Sequence, residues 1–449
     1  GYRMSAADGR AVSYVEAQQA RAGELPAAGV AALDRSRSEA LEILGERGLP
    51  SQRDEDWKYT SIKPITRSRF SPAVSGVDCS QDFIAGSAIE NLDAWQLVFA
   101  DGFYLAHRSK TKGLPEGVQV AGLAEALTRD PDSIVDRLGS AMGEMPHGFA
   151  AMNSAFVGDG ALVEVAAGVQ LEKPIELLFV SGCSGEGFLS LPRNLVILGE
   201  GSHASIIERH ISFGAERTLS NSLTEIILAE DTTLNYCCVQ DQAERTFHVG
   251  GLFARLAQSA KLKATTVTVG KAWVRNDARV NLDAPQAHAN LDGAYLAFGR
   301  CHVDNHTHIS HNAPECTSRE CYKGVLGDRG HAVFHGRIVV QPHAQKTDSE
   351  QSNQNLLLSA DAQIDTKPQL EIYADDVKCA HGATVGQMDE SALFYLVSRG
   401  INRETARRML TQAFAAEVLE TVTPLALQSY LASQVSGQLS PAVPPGAAA

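Results

Sequence analysis

The chain has 449 residues, 44% of them hydrophobic and only 6% aromatic, with 38 glycines. That length exceeds one ordinary compact domain unless the fold is elongated or repetitive. A formal net charge of −14 argues against a general nucleic-acid binder and gives no support for docking on anionic lipid.

Nothing approaches the roughly 18 consecutive apolar residues of a membrane span, and no secretory leader is visible. Met4 is read as the natural start, after an expression remnant Gly1-Tyr2-Arg3. Eight cysteines at irregular positions fit the reduced thiols of a cytoplasmic protein better than a disulfide framework.

Residues 4 to about 50 read as helical, with apolar residues at helical intervals through Val30, Leu33, Leu41 and Leu44 and a stop at Gly48 and Pro50. The segment RDEDWKYTSI, residues 53–62, reads as a loop pinned to the body by Trp57 and Tyr59, with a contact surface as the alternative. Residues 66–90 look irregular. A strand pair is predicted from Trp95 to Tyr104, turning at Asp101-Gly102. Residues 122–142 return to helix, with Leu123, Leu127, Ile134 and Leu138 on its buried stripe.

From about 155 to 378 short apolar runs alternate with turns, and helical periodicity is absent. Ile206, Leu234 and Leu262 follow similar polar turns at intervals of 28 residues, a spacing that suggests one coil of a solenoid. Gln351, Asn353 and Asn355 alternate as side chains of stacked amide ladders would. Scarce hairpin signals favour a parallel β-helix over a sandwich. Beyond Asp389 the pattern is helical: Asp389 or Ser391 caps one helix, Gly400 stops it, Asn402 caps a second, and a shorter one follows Pro424. The tail SPAVPPGAAA is predicted to be disordered. These signals divide the chain into a helical region (1–90), a mixed connection (91–154), the β-helix (155–386), a C-terminal helical domain (387–435) and the tail (436–449).

Two segments carry candidate chemistry. In QLEIYADDVKCAHGATVG, residues 369–386, Cys379 and His381 stand two apart and share a face if extended. They offer a metal one soft and one borderline ligand, and another chain or segment would have to complete the site. Lys378 and His381 favour a thiolate there, and Asp375 and Asp376 oppose it. Gly382 and Gly386 permit sharp turns beside the pair. The competing reading is a buried structural cysteine beside a hydrogen-bonded histidine. The second segment, CHVDNHTHISHNAPECTSREC, holds His302, His306, His308, His311, Cys301, Cys316 and Cys321. On a strand His302, His306 and His308 share a face, so a metal-dependent enzyme is the alternative function. The spacing matches no closed zinc signature, and imidazoles stacked with polar residues along a solenoid face are the preferred reading. There is no phosphate-binding loop and no nucleophile elbow.

Taken together, EDWKYTS, HVDNHTHISH with PECTSRECYKG, GRIVVQPHAQKTDSEQSNQNLLLS and DDVKCAHGATVGQMDE followed by FYLVSRGI resemble the SufB/SufD family of iron–sulfur cluster assembly proteins. The DDVKCAHGATVGQMDE segment is most similar to the SufD branch. The resemblance implies a right-handed parallel β-helix between helical regions, acting as a non-catalytic scaffold. It implies pairing with a SufB-like subunit through the β-helix edge, and a SufC-like ATPase docked on the C-terminal helices around Phe394, Tyr395, Arg399 and Ile401. The implied complex holds one SufB, two SufC and one SufD. His381, with Cys379, would then act at the seam between subunits in iron acquisition and in building a nascent, transient cluster. A reduced flavin is associated with the family complex, without assignable contacts here. A homodimer of the isolated chain is plausible through the free edge. A carbohydrate-active β-helix is a further alternative, and the lack of a visible secretory leader speaks against it because such proteins are usually exported.

Overall fold

The computed structural model describes residues 8–439. The proposed start at Met4 and the tail from 440 lie outside them. Two helices, Asp8–Arg21 and Ala31–Arg47, open the chain, and Gly48 closes the second with a positive φ of 69°. Its neighbour Gly148 has no room for a side chain, since a Cβ there would lie 2.0 Å from the Gly48 carbonyl oxygen. The helix Gly148–Ala155 is therefore pressed directly onto that loop.

The body is a parallel β-solenoid whose strands alternate between sheets of eleven and ten strands. Residues in one sheet recur one coil later. Ala204, Leu234, Leu262, Ala289, Ser318, Ser349 and Cys379 form one column, in steps of 30, 28, 27, 29, 31 and 30 residues. The predicted Leu234–Leu262 step is correct. Ile206, however, pairs with Tyr236, because the coil before Leu234 is two residues longer.

Five successive coils turn one corner through a non-glycine residue with positive φ: Asp231, Ser259, Gln286, Glu315 and Lys346. Backbone bonds link successive corners, as from Ser259 N to the Pro285 carbonyl and from Glu315 N to the Gln345 carbonyl. Inside, an apolar column runs through Ile175, Ile206, Tyr236, Ala264 and Leu291. Tyr322 lies across Gly293 and Tyr295 across Gly324, where any Cβ would sit 2.1–2.3 Å from a ring carbon.

The helical regions cover opposite outer faces. Trp57, Phe149 and Leu44 pack with Leu189, Leu219 and Val249 on one sheet. On the other, Val418, Leu427 and Leu431 pack with Val267, Leu296 and Val325. The hairpin Trp95–Ala100 to Phe103–Tyr104 turns at Asp101 and Gly102, both with positive φ, as predicted.

Several expectations need correction. Residues 122–142 hold two short helices, Leu123–Arg129 and Asp132–Val135, because Pro131 breaks the run. The 66–90 stretch contains a helix, Gln81–Gly86. Trp57 is buried, but Tyr59 is exposed and pins nothing. The last helix, Leu425–Leu439, extends past the predicted end at 435. No helix among the described residues is long and apolar enough to cross a membrane.

Candidate functional site

The stretch 369–386 is not one strand. It comprises the end of Gln363–Ile372 and the whole of Lys378–Gly386, joined through the last corner. Each is the terminal strand of its sheet, paired on one side only. Cys379 lies opposite Ser349 and His381 opposite Gln351. Ser349, Gln351 and Asn353 are buried and face the interior. Cys379 and His381 therefore continue inward-facing columns in a coil that no further coil covers. Cys379 is half-buried against Ile338, Val340 and Ala374, while His381 is exposed.

Burial pushes the Cys379 thiol up, and Asp348 on the neighbouring strand adds to the shift. A thiolate is thus disfavoured in the chain alone, and an added cation or metal ion would be needed to hold it. Gly382 and Gly386 form no sharp turn: both belong to the strand and lack positive φ.

Beneath the edge the interior is polar. Gln351 Nε2 donates to Glu320 Oε2 at 2.6 Å, so a column runs from Glu320 through Gln351 to His381. Burial pushes the Glu320 carboxyl up to about 7. Asn355 Nδ2 donates to Asn353 Oδ1 at 2.7 Å, and Asn353 Nδ2 donates to Tyr295 Oη at 3.1 Å. This is a mixed network: the preceding coil places Glu320, Tyr322 and Gly324 beside these residues and the next places His381, Ala383 and Val385, so the expected amide ladder does not form.

The histidine-rich segment is the strand His302–His311. His302, His306 and His308 share its outer face, as expected, whereas His311 points inward and its Nε2 lies 2.9 Å from Ser318 Oγ. A shift of one coil sets His302 beside His331 and His306 beside His335. Burial holds His302, His308 and His311 near 4, so all three are neutral at pH 7. Cys301 and Cys316 are buried in the interior, and Cys321 packs against the C-terminal helices. None of the three belongs to a ligand cluster among the described residues.

The EDWKYTS segment lies on this strand. Thr60 Oγ1 donates to Asp304 and lies 3.1 Å from His302 Nε2. The Arg275 guanidinium sits 4.2 Å over Trp57 and bonds Asp277 and Asp304. Two ligand-rich clusters result that spacing did not disclose. One joins Asp56, His306 and His335; the other is Glu208, His210 and Cys238. The second is fully buried, and its carboxylate already takes bonds from Thr224, Tyr236 and His210. Reading each histidine against the residue 29 positions on would have found the His306–His335 pair.

On the C-terminal helix Glu390–Ser398, Leu393 is buried, but Phe394 and Tyr395 are 73% and 56% exposed. Arg399 lies 4.9 Å over the Tyr395 ring, and Ile401 is half-buried.

Comparison with known proteins agrees with this architecture. Residues 180–414 match the family model described as SUF system FeS cluster assembly, SufBD core domain, and residues 10–177 match the SufBD protein N-terminal region. The chain is 31% identical over 402 residues to iron-sulfur cluster assembly protein SufD of Escherichia coli (strain K12), across 89% of this chain and 91% of that one. It is 25% identical over 411 residues to iron-sulfur cluster assembly protein SufD of Bacillus subtilis (strain 168), covering 90% and 93%. Protein ABCI7, chloroplastic, of Arabidopsis thaliana is 29% identical over 419 residues, covering 91% and 86%. With a solenoid and flanking helices that both family models match, and a relative of this identity along nearly its full length, the chain belongs to the SufBD family of iron–sulfur cluster assembly proteins.

Proposed function

We propose that this chain is the SufD-type scaffold of a SufB–SufC–SufD complex. It contributes His381 and Cys379 to a nascent iron–sulfur cluster at a seam with a SufB-like chain. The observation that carries the reading is His381, exposed on a strand with one unpaired side at the bare end of the solenoid. A second chain pairing there would cover both residues and bring further ligands to them. The polar interior beneath, from Glu320 to Gln351, supports a hydrated site rather than an apolar seal.

A SufC-like ATPase would dock on Phe394, Tyr395, Arg399 and Ile401, whose exposed aromatic surface is larger than a helix facing solvent needs. The chain itself would be non-catalytic, with a reduced flavin associated only at the level of the complex. Its eight free thiols support a reducing compartment such as the cytoplasm, and one relative is named as chloroplastic.

The test is co-purification with SufB-type and SufC-type partners, followed by cluster reconstitution. His381→Ala should form the complex with unchanged melting behaviour and assemble markedly less cluster. Full cluster yield in that variant would overturn the site, and failure of the unmodified chain to join the partners would overturn the scaffold role.

A further inference from the structure

Close to the bare end, on the outer face of the sheet, the His302–His311 strand forms the floor of a cleft of about 300 Å³. Arg47, Glu144 and Pro146 from the N-terminal region stand over it, and Arg279, His308 and Arg337 share its lining. Within it, one ligand atom each from Asp56, His306 and His335 lie within 4.8 Å of one another. The His306 and His335 rings meet edge to face with centroids 4.9 Å apart, and His335 Nδ1 is 3.9 Å from Asp56 Oδ1.

Both imidazoles are oriented from behind. His306 Nε2 is 3.0 Å from Asp304 Oδ1, and His335 Nε2 is 3.4 Å from Gln369 Oε1. Neither oxygen can donate: Gln369 takes the His335 Nε2 proton, and the Asp304 carboxylate beside His306 favours a proton on that Nε2 as well, which leaves a lone pair on each Nδ1. Oxygen acceptors behind the ring are the usual support of a metal-binding histidine. Asp304 is itself fixed by Arg275 at 2.7 Å.

We propose that Asp56, His306 and His335 form a binding site for a divalent transition-metal ion of the zinc or iron(II) class. Two imidazoles and one carboxylate suit such borderline ions and disfavour magnesium and calcium. Metal–ligand bonds of about 2.1 Å place neighbouring donors roughly 3.4 Å apart. Asp56, whose side chain is 54% exposed, has the freedom to close that gap. The cleft leaves room for water or a small anion as a further ligand. Of the cations present, Arg337 is paired with Glu371 at 2.7 Å, Arg47 donates to the Met145 carbonyl, and both Arg47 and Arg279 work against occupancy. The site uses neither Cys379 nor His381 and does not depend on the scaffold reading.

The test uses the full chain carrying Cys379→Ala and His381→Ala, so that the edge contributes no ligands. Cobalt(II) is titrated while its visible d–d absorption is followed, and zinc competes for the same site. One equivalent should bind, and His306→Gln or His335→Gln should weaken it by about ten-fold or more. Asp56→Asn provides the same readout at an exposed position that does not threaten folding. An affinity unchanged in both Asp56→Asn and His335→Gln overturns the site, as does no binding below about 1 mM.

Discussion

Glu320 is a buried acid in a wall of amides, and its environment makes a measurable demand. Its folded value of about 7 lies above the ordinary 4.5. Between those values the unfolded chain has released a proton that the folded chain still holds, so stability falls as pH rises through that window. At about 1.4 kcal/mol per pKa unit, the loss approaches roughly 3 kcal/mol. Glu320→Gln keeps an oxygen that can accept from Gln351 and removes the titration. Thermal melts from pH 4.5 to 7.5 should therefore show a flatter profile for the variant. Asp292, raised to about 6 by burial, leaves a residual slope of the same sign. Parallel profiles for parent and variant would mean that Glu320 is ionised in the fold. Sequence could not reveal this group, because its burial is created by coils roughly 30 residues away on either side.

The C-terminal helices show what local chemistry reveals and what it does not. Asp389 accepts from the Ser391 and Ala392 amides, Asn402 accepts from Thr405 N, and Gly400 ends its helix with φ 89°, all as the sequence predicted. Capping acts within one turn and is legible in a single chain. Solenoid corners are not: aspartate, serine, glutamine, glutamate and lysine take the same left-handed conformation in successive coils, held by bonds between coils. No local preference marks glutamine or lysine for that role. On the helix Glu390–Ser398 the proposed docking residues and the folding residues can be tested apart. Phe394→Ala with Tyr395→Ala should leave the melting temperature within a few degrees and weaken ATPase binding by at least roughly ten-fold. Leu393→Ala, at the buried face, should instead cost about 2–4 kcal/mol in chemical denaturation. Equal ATPase affinity in the double variant would place the dock elsewhere.

At the scale of the molecule, the two ends of the solenoid differ. The strands Phe103–Tyr104 and Val118–Gly122 pair antiparallel with their neighbours and close the first end. The last end exposes two strand edges with Tyr373 at 60% and Val385 at 50% exposure. The repeat and the two helical regions were visible in sequence because apolar spacing is a local property. The histidine cleft was not, because it requires residues 56, 306 and 335 to meet. The isolated chain should self-associate through the bare edge. Val385→Lys should shift it toward monomer in sedimentation, by roughly ten-fold in dissociation constant, or about 1.4 kcal/mol. A parent that stays monomeric at high concentration would show that the edge is protected without a partner.

A stack closed at its beginning and bare at its finish can be lengthened only once. Two such rods meeting tip to tip leave no further tip to offer, so growth halts at a pair and no filament follows. On the proposed reading, inorganic material held where the tips touch is enclosed by that junction, and releasing it requires the junction to open.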